Sequence, residues 1–432
     1  MASNTAAAAA HVVSKAATST TAAARSATTF TAGPAAFQPR QSFNVSLDIT
    51  RSYYLGHHHA ALSRMRQTLS NVGLIIECRD FRVPISSWNP LLERSLAAGS
   101  SSGDRPRIIV YTKRDLVQLN SGSSDREAVK LLRDFHEKNG HAKAVVFLGH
   151  GSGSRDRDRD EQRSLYSGSN GDRMLLDAIK RVARDADSLT GLRSMVVGMP
   201  NAGKSTLLNR LRATGMGLPQ AARTGAQPGV TRKLGTPVRI VPGESAESGV
   251  EGMGEGVFVI DTPGVFVPYV SQAEDMMKLA LVGCVKDGLV PSVAVADYLL
   301  YHLNLVDPGL YTGANNSSKK FCPEPTNDVH HFLKGVAMRT GKLGKGGVPS
   351  LEAAADWVVQ EWRRGELGRF ALETVTLETL AGAVAASREQ PLSMNQARKK
   401  EKEVRKVRNE AKRMGLTPPA AGGGAGTTGG TA

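Results

Sequence analysis

The chain has 432 residues, 40% of them hydrophobic, and a formal net charge of +15. That length accommodates two or three domains, and no run of about 18 apolar residues supplies a membrane-spanning helix. Cys78, Cys284 and Cys322 are too widely spaced for a disulfide framework or a zinc site and point to a reducing compartment, while the charge points to a polyanionic partner, RNA first.

The first 47 residues contain no Asp or Glu, are rich in Ala, Ser and Thr, and carry Lys15, Arg25 and Arg40. This is the profile of a mitochondrial transit peptide, with a plain disordered tail as the alternative. Residues 48–268 then read as an α/β nucleotide-binding domain. In chain order the patterns predict a strand over 72–77, a helix over 88–98, a strand over 107–111 and a helix over 124–139. A strand over 144–148, a helix over 174–186, a strand over 194–197 and a helix over 204–213 follow. Strands over 238–241 and 257–260 close the set, giving a six-stranded, mostly parallel sheet. Residues 149–171 and 242–256, rich in Ser, Gly and charged residues, read as solvated insertions. Residues 269–375 read as a small all-α domain. The remainder, 376–432, reads as a charged helix over 395–414 and a disordered Gly/Ala/Thr/Pro tail.

The chemistry concentrates in four short motifs. Gly198-Met-Pro-Asn-Ala-Gly-Lys-Ser205 follows a strand and opens a helix, the context of a phosphate-binding loop. Asn201, Ala202, Gly203 and Thr206 belong to this nucleotide-binding stretch. Within it Lys204 is expected to reach the β- and γ-phosphates and Ser205 to ligate Mg²⁺. Asp261-Thr-Pro-Gly264 follows another strand; Asp261 is expected on the Mg²⁺ side and the Gly264 amide at the γ-phosphate. Thr231, after Pro228-Gly229, is the candidate switch threonine and third Mg²⁺ partner. Thr112-Lys113-Arg114-Asp115 is the candidate guanine reader: Asp115 accepts from the N1 and N2 donors of guanine, and Lys113 packs along the base. Thr112 stands where Asn is usual. A companion base loop is expected after 144–148, with no residue assigned there.

This reader precedes the phosphate loop, whereas an ordinary GTPase places it after. Starting the Ras-like fold at its fourth strand and continuing from its first reproduces the order here, and rejoining surface termini leaves the same sheet buried. The expected fold is therefore a circularly permuted Ras-like P-loop domain followed by a small all-α domain.

Together with Tyr53-Tyr54-Leu55-Gly56-His57, Glu77-Cys78-Arg79-Asp80-Phe81-Arg82-Val83-Pro84, Trp88-Asn89-Pro90, Lys278-Leu279-Ala280-Leu281 and the Gly341–Gly347 run, these motifs resemble the circularly permuted GTPases of the YlqF/RbgA type, over about 52–370. The mitochondrial, ribosome-associated members are the nearer match. The resemblance implies slow GTP hydrolysis coupled to maturation of the mitochondrial large ribosomal subunit, with GTP/GDP, the subunit and its rRNA as partners. It also implies a matrix location, peripheral contact with the inner membrane, and a monomer. It places Val265 where Ras-type enzymes carry a catalytic glutamine, and His57, within Leu55-Gly-His-His-His59, as the water-orienting group instead. It further implies Mg²⁺ and, beside Asn201, K⁺. The basic stretch 398–413 is either a solvated helix or a contact to rRNA phosphates. Two other readings stay open: an rRNA-binding scaffold in which GTP occupancy rather than turnover matters, and a plastid or nucleolar counterpart.

Overall fold

The computed structural model describes residues 37–46, 49, 56–89, 91–92, 95, 105–118, 124–149, 168–222, 224–225, 231, 234–244, 252–266, 270, 272–313, 320–388 and 394–414. Six strands, β1 (Leu74–Asp80), β2 (Arg107–Thr112), β3 (Ala144–Phe147), β4 (Leu192–Gly198), β5 (Val238–Val241) and β6 (Val257–Asp261), form one sheet. Their spatial order is β3-β2-β1-β4-β6-β5. β5 runs antiparallel to β6, and every other pairing in the sheet is parallel. The chain runs outward from β1 through β2 to β3, then returns to the other side of β1 as β4. The loops after β1 and β4 therefore diverge at the strand C-termini, where open α/β sheets hold their ligands. This is the permuted, mostly parallel arrangement that the motif order predicts.

Alternation sorts the strand side chains onto two covered faces. Leu74, Ile76 and Cys78 of β1 and Ile108 and Val110 of β2 face the helices Gly168–Ala186 and Lys204–Met216. Ile75 joins Leu62 and Met65 of the helix Gly56–Thr68, and Leu69 of the turn after it, on the opposite face. Further along that face Ile109, Tyr111 and Phe147 pack with Val129 and Leu132 of the helix Ser124–Lys138. Burial pushes the Cys78 thiol up to about 12 and Cys284 up to about 11, so both behave as small apolar fillers.

The helices Ala273–Leu281, Ser292–Val306, Gly309–Thr312, Val329–Thr340 and Leu351–Arg363 bury a further cluster with Tyr298, Leu299, Phe332 and Trp362 fully or almost fully enclosed. Their ends carry ordinary punctuation. The Asp328 carboxylate accepts from the His330 amide at 2.8 Å, and Gly341 takes the left-handed conformation after the helix it ends.

Several boundaries differ from expectation. β1 starts at Leu74 rather than Val72 and runs on to Asp80, because the buried Glu77–Arg79 and Asp80–Arg82 ion pairs allow charged residues inside the sheet. The helix expected from 174 starts at Gly168, inside the expected insertion 149–171. Within the expected loop 242–256, Met253 is 1% exposed and packs in the core. In the expected helix 88–98, Trp88 and Asn89 are non-helical; Leu91, Leu92 and Ser95 are helical, and the other positions lie outside the described residues. The helix Leu377–Arg388, read as part of the tail, buries Leu380 against Phe81 and Leu132. The charged helix spans Met394–Arg413.

The expected tail also reaches too far. Arg40 pairs with Asp297 at 2.6 Å, and the Phe43 ring meets Tyr298 edge-on at 5.0 Å between centroids. The packed chain therefore begins before residue 48. Among the described residues no helix is long and apolar enough to cross a membrane.

Candidate nucleotide site

The turn leaving β4 coils around the N-terminus of the helix Lys204–Met216. Asn201 (φ 55°) and Gly203 (φ 85°) take left-handed conformations, and the Gly203 carbonyl accepts the first helical bond from Leu207 at 2.8 Å. Such a loop aims backbone amides and the positive end of the helix dipole into one space. That space is a cavity of about 390 Å³. Thr112, Lys113, Asn201, Gly203, Lys204, Ser205, Thr206, Thr231 and Gly264 all line it.

Lys204 is buried, and its Nζ donates to the Met199 carbonyl at 2.6 Å, within its own loop. Burial holds its ammonium below the usual lysine range, although Asp261 opposes the shift. A phosphate placed here would gain a desolvated cation whose hydrogen bond is to a neutral carbonyl.

Ser205, Thr231 and Asp261 converge as expected. The Ser205 hydroxyl donates to Asp261 Oδ2 at 2.6 Å and lies 3.2 Å from Thr231 Oγ1. Asp261 Oδ1 is buried without a hydrogen-bond partner. Two hydroxyls and a carboxylate with an orphaned oxygen form an all-oxygen donor set of the kind a hard divalent cation takes, so the residues present fit Mg²⁺.

Gly264 fits only as glycine. A Cβ there would come within 2.5 Å of Pro200 Cα, so the segment after Asp261 lies directly on the phosphate loop. The next residue, Val265, is fully buried with Leu62 and Met65. Its amide donates to the Gly198 carbonyl at 3.2 Å, and its own carbonyl accepts from Asn89 at 2.8 Å. Val265 is thus a core residue. His57 is the second residue of the helix Gly56–Thr68, whose Leu62 shares that cluster; the His57 side chain lies outside the described residues.

On the base side, Thr112 replaces an asparagine amide with a hydroxyl that still ties the two loops together. It donates to the Ala202 carbonyl at 2.9 Å, and Ala202 itself is buried behind the loop. Lys113, at φ 58°, bridges from Asp80 Oδ2 to the Asn201 carbonyl, each at 2.8 Å. Asp115 sits in the next turn, where a Cβ on Gly149 would come within 3.0 Å of its own Cβ. The loop after β3 is therefore the neighbour of Asp115; its Leu148 lines the cavity, whereas Asp115 is not among the lining residues.

Sequence reasoning missed Asp80 and Arg82 as parts of the site, although the segment containing them stood out as a motif. Asp80 is fully buried and accepts from Arg82 Nη2 and from Lys113 Nζ, both at 2.8 Å. Burial alone would raise its carboxyl, but Arg82 and then Lys113 outweigh it and hold the group below the usual carboxylate range. Arg82 also stacks over Trp362 at 4.9 Å and donates to the Val282 carbonyl at 3.3 Å. The helical segment thus reaches the cavity wall through Val282, Gly283, Gln360 and Arg363.

Residues 193–317 match the family model described as 50S ribosome-binding GTPase. The chain is 34% identical over 370 residues to Mitochondrial GTPase 1 of Schizosaccharomyces japonicus, covering 83% of this chain and 99% of that protein. It is 30% identical over 345 residues to Mitochondrial ribosome-associated GTPase 1 of Xenopus tropicalis, covering 77% of this chain and 98% of that one. Among solved structures, GNP-bound YlqF from T. maritima is 20% identical, with a TM-score of 0.40 over 73% of this chain and 97% of that one.

Proposed function

Since the chain belongs to the mitochondrial GTPase 1 family, we propose that its GTP hydrolysis times a step in maturation of the mitochondrial large ribosomal subunit, in the matrix. The chain is a GTPase. The observation that carries the reading is the convergence of Ser205, Thr231 and Asp261 within hydrogen-bond reach beside the buried Lys204.

In this reading Lys204 exchanges its loop carbonyl for the β- and γ-phosphates. Mg²⁺ bound with the nucleotide supplies charge neutralisation, and Ser205, Thr231 and Asp261 would hold it. Thr231 and the Gly264 amide report the γ-phosphate. Asp115 selects guanine, with Lys113 along the base. With Val265 sequestered in the core, His57 orients the attacking water once docking on the subunit fixes the start of its helix. Asn201 is the residue beside which K⁺ would sit. The basic helix Met394–Arg413 contacts rRNA phosphates. The acidic-free start of the chain is a transit peptide ending before the packed segment around Arg40.

Co-sedimentation with purified mitochondrial large subunits tests this. Binding is expected with a non-hydrolysable GTP analogue, to weaken with GDP, and to weaken again as salt rises. Lys204→Ala is expected to lose about tenfold or more in nucleotide affinity and the nucleotide dependence with it. Subunit binding indifferent to nucleotide, or near-normal GTP turnover by Lys204→Ala, would overturn the reading.

A further inference from the structure

The phosphate loop is held from outside the nucleotide-binding sheet. Asn201 Nδ2 donates to the Gly283 carbonyl at 2.7 Å, a contact between the loop after β4 and the turn that ends the helix Ala273–Leu281. That turn is a Schellman closure. The Cys284 amide bonds the Leu279 carbonyl at 2.9 Å, the Gly283 amide bonds the Ala280 carbonyl at 3.0 Å, and Gly283 sits at φ 84°. The closure aims the Gly283 carbonyl away from its own helix and leaves it as the acceptor that fixes which way the Asn201 amide points.

Arg363, the last residue of the helix Leu351–Arg363, locks this turn. Its Nε donates to the Leu281 carbonyl at 2.9 Å, and its Nη2 donates to the Ala280 carbonyl at 2.8 Å and to Asp287 at 3.1 Å. The guanidinium lies alongside Gly283, where an added Cβ would be 3.3 Å from Arg363 Cζ. Both Gly283 and Arg363 line the nucleotide cavity. Asn201 is meanwhile tied on its other side, since its carbonyl accepts from Lys113. Base reader, phosphate loop and helical segment therefore meet at one asparagine.

We propose that Arg363 is a positioning residue for GTP hydrolysis: it holds the Val282–Gly283 turn as a carbonyl post that orients Asn201 in the phosphate loop. Through this post, a shift of the helical segment reaches the phosphate loop by way of the Asn201 side chain. The proposal rests on residues 198–205 being the phosphate loop, and its test separates the two.

The test is a double-mutant cycle on the full chain, reading single-turnover GTP hydrolysis and, separately, GTP affinity. Arg363→Ala and Asn201→Ala are each expected to lower the hydrolysis rate about tenfold while changing affinity less than about threefold. The double variant is expected within about twofold of Asn201→Ala alone. Additive losses, a loss confined to affinity, or an unchanged rate in Arg363→Ala would overturn the proposal. If Arg363→Ala does not fold, Arg363→Gln enters the same cycle under the same criterion. A wild-type chain that binds no GTP would instead refute the phosphate-loop reading itself.

Discussion

Thr112 illustrates how one residue can change identity and keep half of its role. An asparagine at this position would offer an amide with two donors and a carbonyl acceptor; the threonine hydroxyl reaches the Ala202 carbonyl at 2.9 Å and the Arg79 carbonyl at 3.2 Å. In the proposed reading base selection then falls on Asp115, held in its turn with Gly149 against it. Asp115→Asn is expected to weaken GTP by about tenfold or more and to favour xanthosine triphosphate, because only the latter offers an acceptor where guanine has its amino donor. Competition binding with the two nucleotides checks this; an unchanged preference would remove Asp115 as the reader. Asp80 belongs to the same scale. Its buried carboxylate is shared between Arg82 and Lys113, so a single group orients the base-side lysine and the arginine that reaches the helical segment.

Among the elements, the N-terminal segment is the one whose part in the fold composition disguises. Residues 39–46 share the acid-free character of the leader, yet Phe43 packs on Tyr298 and Tyr301 and Arg40 pairs with Asp297. Partly burying the phenylalanine is worth about 1 kcal/mol, and the partly exposed ion pair adds at most about 1. A chain starting at residue 48 is therefore expected to unfold at lower urea than one starting at residue 37, by up to about 2 kcal/mol. Equal midpoints would show that the segment contributes nothing.

The same contrast explains what could be read from the sequence. The strands were legible because β-branched runs such as Ile108-Ile109-Val110 are buried on both faces. The helix Leu377–Arg388 was not, since Leu380 alone among its described residues is fully buried and no periodic stripe announces it. The phosphate loop, Asp261–Gly264 and Thr231 were legible because their chemistry is local. The contacts Asn201–Gly283 and Arg82–Val282 were not, since they join positions 82 and 200 residues apart and no spacing encodes them.

For the whole molecule, stability and function both depend on groups kept neutral or paired inside. Burial lowers His302 to about 4 and His136 to about 2, with Lys278 and Arg79 respectively adding to the shift. Both folded values lie below the unfolded histidine value of about 6.5, so the unfolded chain takes up protons first as pH falls. The neutral forms support the fold fully above about pH 6.5, and that support is lost progressively below it. Stability is expected to drop by about 3 kcal/mol between pH 7.5 and 5.5; a urea midpoint independent of pH across that range would contradict this.

In the proposed reading, function at this scale is a coupling between two regions. The sheet carries the nucleotide loops, the helical segment forms one wall of their cavity, and Val265 leaves the sheet without a glutamine of its own to orient water. A site built this way should turn over slowly until a docked partner completes it. The most direct measurement is GTP hydrolysis by a chain starting at residue 37, with and without mitochondrial large subunits, for wild type and His57→Ala. Strong stimulation by subunits that His57→Ala abolishes is the predicted result. GTP binding with no stimulation under any condition would contradict the switch and leave a scaffold in its place.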